Sequence, residues 1–126
     1  MNLHEYQGKE LLASFGVTVQ RGIVAKTVSE AMSAGKELSK STGSNWYVIK
    51  AQIHAGGRGK GGGVKLAKTS DELEKIAGEI LGMQLITPQT PKEGKKVNQV
   101  LIAEDVYYKG KSEPSEYYIS VLLNRG

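Results

Sequence analysis

The chain predicts an α+β fold, and three observations carry that reading. Two capping boxes, Thr27-Val28-Ser29-Glu30 and Thr69-Ser70-Asp71-Glu72, each stand ahead of a helical stripe. Runs rich in β-branched and aromatic residues lie before, between and after those helices. A glycine-rich run joins two of these strands directly. The length of 126 residues, with 39% hydrophobic and 24% charged residues, sets one compact domain as the prior.

Taken in order, residues 3–15 place Leu3, Tyr6, Leu11, Leu12 and Phe15 near one side of a helical wheel, with Asn2 as cap and Gly16 as terminator. Residues 17–25, carrying Val17, Val19, Ile23 and Val24 and interrupted by Gly22, predict a short strand. The Thr27 box opens a second helix running to about residue 40. Residues 41–45 are a loop by composition, and 46–51 predict a strand that Lys50 closes. Residues 64–68 alternate apolar and basic side chains, as a half-buried strand does. The third helix follows the Thr69 box, with Leu73, Ile76, Ala77, Ile80 and Leu81 as its buried stripe and Gly82 at its end. A polar loop over 88–96 leads to two β-prone runs, 97–108 and 116–124, joined by a hairpin-like connection over 109–115. The last run stops almost at once, so a truncated chain is expected, with an apolar strand edge prone to self-association.

The polar start and the lack of an apolar run of about eighteen residues lead us to expect a soluble, cytoplasmic protein with no membrane partner. With no cysteine there is no disulfide frame, thiolate zinc site or cysteine nucleophile, and metal chemistry would need carboxylates or histidine. The net charge of +4 invites a nucleic-acid reading, but the basic residues are scattered and the aromatics for base stacking few. A solvated surface with one anion site and no nucleic-acid partner accounts for the charge.

That anion site is the run His54-Ala55-Gly56-Gly57-Arg58-Gly59-Lys60-Gly61-Gly62-Gly63. Glycine leaves room for backbone amides to converge on phosphate oxygens, and Arg58 and Lys60 offset charge. A Walker A motif fails, because His54 stands where its first glycine belongs and Gly61 follows Lys60. Gly57, Gly59 and Gly62 match the dinucleotide pattern, which however requires a helix next, where residues 64–68 read as strand. A strand, glycine flap and strand over nucleotide phosphates remains. Lys50 shares a strand face with Trp46 and Val48 and would project an ammonium near that flap; the plain alternative is a lysine snorkelling from an edge strand. His54 has no second ligand at metal spacing and reads as a structural hydrogen-bonding residue, His4 is a weaker candidate still, and Glu104, Asp105 and Glu116 read as surface charges unless context recruits them.

The opening Met1-Asn2-Leu3-His4-Glu5-Tyr6-Gln7, the stretch Val48-Ile49-Lys50-Ala51-Gln52-Ile53-His54-Ala55-Gly56-Gly57-Arg58-Gly59-Lys60 and the run Val97-Asn98-Gln99-Val100-Leu101-Ile102 together resemble the family of succinate–CoA ligase (succinyl-CoA synthetase) β subunits. The resemblance implies the amino-terminal, truncated portion of an ATP-grasp fold. Residues 20–112 would form a nucleotide-binding subdomain, and 1–19 with 113–126 the incomplete start of a second. It implies that Lys50 contacts nucleotide phosphate and that Gly57, Arg58 and Gly59 form the binding flap. Ala103, Glu104 and Val106 would belong to a hinge over 103–106 whose backbone meets the base, and Glu116 would bind nucleotide. The implied ligand is ATP (or GTP) with magnesium, whose protein ligands lie outside this chain, and no catalytic residue is expected within it. The implied reaction is ligation of succinate to coenzyme A in the tricarboxylic acid cycle, through a phosphohistidine on a partner α subunit, with CoA and succinate bound elsewhere in the complex. His4 and His54 do not match that histidine, and the piece alone is expected to be inactive. The acid stays open, malate and citrate included, and Gln20 leaves ATP against GTP open because its amide both donates and accepts. A second class, a small basic RNA- or protein-binding module with a glycine clamp loop, is carried beside this one.

Overall fold

The computed structural model describes residues 2–107 and 113–123. In chain order the elements are α1 (Glu5–Ser14), β1 (Gly22–Ala25), α2 (Val28–Thr42), β2 (Tyr47–Ala51), β3 (Val64–Ala67), α3 (Ser70–Ile80), β4 (Gln84–Leu85), β5 (Lys95–Lys96) and β6 (Val100–Glu104). β1, β6, β2 and β3 form an antiparallel sheet in that order, while β4 and β5 pair separately.

The capping boxes start their helices where the sequence places them. The Thr27 hydroxyl accepts from the Glu30 amide and the Thr69 hydroxyl from the Glu72 amide, each meeting a donor that the first helical turn leaves unpaired. Gly43 takes the left-handed conformation that closes α2, two residues beyond the expected end. α2 and α3 pack on each other and on one face of the sheet. The period-two burial of β2 turns Tyr47, Ile49 and Ala51 into this core, where Val100 and Ile102 of β6, Leu38 of α2, and Leu73 and Ile80 of α3 join them. Lys50 and Val48 therefore point to the opposite face.

Several expectations need correction. α1 begins at Glu5 with His4 as the preceding cap, in place of Asn2, and none of its residues is buried: Leu11, Leu12 and Phe15 are 49%, 50% and 80% exposed. The stripe is present but no element of the described structure covers it. The strand expected over 17–25 is confined to its last four residues. Leu66 of β3 is exposed, because the core face of that edge strand is filled by Ala67. The polar loop over 88–96 contains β5, whose partner β4 precedes the loop; strands of two residues are too short to leave a periodic signal. Residues 116–123 form no strand and are exposed, pairing with neither β1 nor β3 at the outer edges of the sheet. Of the connection expected over 109–115, residues through 112 lie outside the described residues, as do Tyr108 and Asn124 of the two β-prone runs.

Candidate functional site

On the sheet face away from the core, β2 and β3 run antiparallel with Lys50 opposite Val64, and the glycine run closes the hairpin between them. The strand, flap and strand arrangement expected from the sequence is formed. Within the flap, the amides of Lys60, Gly61, Gly62 and Gly63 turn inward onto carbonyls of Gly57, Arg58 and Gly59. Gly56 donates to the Gln89 side chain at 2.7 Å. Among the described residues no hydrogen bond uses the amides of Gly57, Arg58 or Gly59, so these three donors are unpaired there. The glycines divide in the same way. A Cβ on Gly61 would overlap the Ile86 carbonyl oxygen, a structural requirement, whereas a Cβ on Gly59 would meet nothing within 4 Å.

The cations converge on Glu5, one of them supplied by the flap itself. Lys50 Nζ lies 3.0 Å from Glu5 Oε1 and Arg58 Nη2 lies 2.9 Å from Glu5 Oε2, with Lys9 Nζ at 3.2 Å from the same carboxylate. Arg58 also donates through Nη1 to the Ala51 carbonyl at 2.7 Å. Lys50 is 19% exposed, which separates it from a snorkelling edge lysine whose head sits in water. Three cations around one carboxylate leave positive charge in excess, the local requirement for an anion site. Burial pushes the Glu5 carboxyl upward, but hydrogen bonds and charge from Lys50, then Arg58 and Lys9, outweigh it and bring the pKa from 4.5 to about 2. Burial, and after it the Lys50 charge, lowers the Lys9 pKa.

Gln20 connects this group to the end of β6. Its Oε1 accepts from Lys9 at 2.8 Å and Lys50 at 2.9 Å, and its Nε2 donates to the Glu104 carbonyl at 2.6 Å. Lys50 stands opposite Leu101, three residues from Glu104, so the two ends are separated by about 10 Å of strand. A cleft of about 740 Å³ on the flap side is lined by Glu5, Arg58, Gly57, Gly59 and Lys60, among others. A second, of about 810 Å³, lies at the far end against Arg21, Trp46, Glu104, Asp105 and Tyr107.

The expected site residues are thus placed unequally. Arg58, Gly57 and Gly59 line the flap cleft together, and Lys50, which lines neither cleft, is joined to Arg58 through Glu5. Glu104 borders the second cleft, its side chain held by the Arg21 amide at 2.8 Å. Ala103 is fully buried between β1 and β2, and Val106 is half-exposed just past β6. Glu116 is exposed and lines neither cleft. His54 stacks on His4 with ring centroids 3.8 Å apart, joining the root of the flap to the cap of α1. Burial, then the charges of His54 and Arg58, lowers the His4 pKa. Among the described residues no three His, Asp or Glu side chains are grouped to hold a metal ion, and Glu5 is committed to cations, so no step is assigned to magnesium here. No helix among them is long and apolar enough to cross a membrane. Glu5, Lys9 and the bridging role of Gln20 were missed by sequence reasoning; only the i,i+4 spacing of Glu5 and Lys9 hinted at a pair.

A hairpin flap with unpaired amides and a cluster of cations sharing one carboxylate, carried on an α+β sheet, has the chemistry of a nucleotide-binding class of domain. The chain belongs to the ATP-grasp domain family, whose profile matches residues 2–126. It is 71% identical over 126 residues to the ADP-forming succinate–CoA ligase subunit beta of Flavobacterium johnsoniae, covering 100% of this chain and 32% of that protein. The subunit of the same name from Christiangramia forsetii is 70% identical over 125 residues, 99% of this chain and 31% of its own. That from Bordetella pertussis is 53% identical over 126 residues, 100% of this chain and 30% of its own. The chain spans about a third of the length of these relatives. The matches support the nucleotide reading and lend nothing to the RNA- or protein-binding module.

Proposed function

We propose that this chain is the nucleotide-gripping part of the β subunit of a succinate–CoA ligase, binding ATP in preference to GTP. One observation carries the reading: Lys50 and Arg58, from a strand and from the flap it leads into, share the Glu5 carboxylate, and Glu5 and Arg58 line a cleft with Gly57 and Gly59, whose amides are unpaired among the described residues. The phosphates lie across the flap cleft, and the base lies in the cleft beside Glu104, with the 103–106 backbone as its hinge. The preference for ATP follows the name of the relatives, which are ADP-forming. Residues 20–112 form the nucleotide-binding subdomain; 1–19 and 113–126 begin a second one, a division supported by the unburied α1 and the exposed 116–123. Magnesium ligands, succinate, CoA and the phosphohistidine of an α subunit belong to the rest of a cytoplasmic complex, with Glu116 reaching nucleotide only there, and this chain alone does not turn over.

The test is calorimetric titration of ATP into the 126-residue chain and its Lys50→Met and Arg58→Met variants. Each charge-assisted hydrogen bond to phosphate is worth about 1.5–3 kcal/mol, so each variant should bind at least about tenfold more weakly. Unchanged affinity in both variants refutes the assignment.

A further inference from the structure

We infer that Glu5 is a competitor built into the phosphate site: its carboxylate occupies the donors of Lys50 and Arg58 that a polyphosphate uses, and a polyphosphate binds by displacing it. This rests on the nucleotide reading above and goes beyond it, since it assigns a role to a residue that binds no nucleotide.

The geometry singles out Glu5 as the exchangeable partner. Arg58 is anchored by Nη1 on the Ala51 carbonyl, and only its Nη2 goes to Glu5. Lys50 is likewise steadied by Gln20 Oε1 at 2.9 Å while a second bond goes to Glu5 at 3.0 Å. Taking Glu5 away therefore frees one donor on each cation without releasing either side chain. Both donors then face an oxyanion from fixed stems, the arrangement in which little ordering remains to be done on binding. Glu5 itself lines the flap cleft beside Arg58, Gly57 and Gly59, so it stands in the ligand's path. It is carried on α1, which buries none of its residues, so a small displacement of its carboxylate disturbs no core packing. The carboxylate also keeps Lys50 and Arg58 from facing each other uncompensated in a half-buried place. An anion with more negative charge than one carboxylate replaces it on both cations at once.

The variant Glu5→Gln removes the competing charge and keeps the shape. Tripolyphosphate is titrated into the wild-type chain, Glu5→Gln, the shortened Glu5→Asp, and Glu79→Gln, which makes the same charge change at the exposed Lys65 pair. Glu5→Gln should melt at a lower temperature on its own, yet bind tripolyphosphate about tenfold more tightly, because the fraction of molecules with both cations available rises. A purely structural Glu5 would lower stability and affinity together. Glu5→Asp, whose carboxylate reaches the cations less closely, should tighten binding in the same direction and serves if Glu5→Gln does not fold. Glu79→Gln should bind as wild type. Affinity equal to or weaker than wild type in the Glu5 variants, or equal tightening by Glu79→Gln, overturns the inference; failure of every protein to bind tripolyphosphate overturns the nucleotide reading beneath it.

Discussion

Replacing Glu5 by Gln is expected to loosen α1 and leave the sheet intact. α1 has no buried residue, and a helix of 10 residues is marginal by itself in water, so its persistence depends on being docked. The Glu5 carboxylate is a main polar tie, reaching Lys50 on β2 and Arg58 in the flap. Its strength follows from linkage. The carboxyl titrates at about 2 when docked against 4.5 when free, and at about 1.4 kcal/mol per pH unit that difference caps its docking contribution at about 3.5 kcal/mol, reduced by solvent screening and by the share that Lys9 supplies from within α1. Because the docked value is the lower one, this contribution is complete above about pH 4.5 and disappears as the pH falls toward 2. Amide exchange followed by NMR at neutral pH reads it directly. In Glu5→Gln the amides of α1 should exchange about two orders of magnitude faster, with β2 and β6 unchanged. Wild type should lose the same protection on acidification through that window, after correction for intrinsic rates. Exchange in α1 that is unaltered by the substitution, or that stays protected at pH 2.5, would show that the carboxylate does not hold the helix.

Two further outcomes separate structural from ligand-facing positions. Gly61→Ala should destabilise the chain by about 1–3 kcal/mol in urea melts, because its methyl overlaps the Ile86 backbone, whereas Gly59→Ala, whose methyl enters open space, should melt as wild type and weaken ATP binding by screening the flap amides. Leu73→Ala, at 1% exposure between α3 and β2, should cost about 3 kcal/mol through the cavity it leaves, and a loss below 1 kcal/mol would contradict the packing of α3 described here.

The parts of the fold legible in the sequence are those whose cause is local. A Thr hydroxyl caps an amide three residues on, so the starts of α2 and α3 could be read from two short motifs. The period-two run of β2, the glycines after it and the return strand are likewise neighbours in sequence. What could not be read was the partner each face would find. The stripe of Leu3, Leu11, Leu12 and Phe15 has helical spacing, yet spacing reports only that a side is apolar and says nothing of whether anything covers it. Residues 116–123 have strand composition, but composition does not say which edge a run will pair with, and here it pairs with neither open edge of the sheet, at β1 or at β3.

The site divides along the same line, and the division explains why Glu5 in particular carries no signal in the sequence. Lys50 and the flap glycines announce themselves through residue type, because an ammonium on a strand and a glycine run with cations are each unusual. Glu5 does not: an acidic residue in the first turn of a helix is ordinary, since it complements the amino-terminal dipole. Its significance lies in contacts 45 and 53 residues away along the chain, which no local pattern encodes. A carboxylate with one role in its own helix and another across the sheet is therefore visible only when the fold is known. The physical consequence runs opposite to the sequence impression: the residue that looks like a routine first-turn acid is the one that Lys9, Lys50 and Arg58 all share.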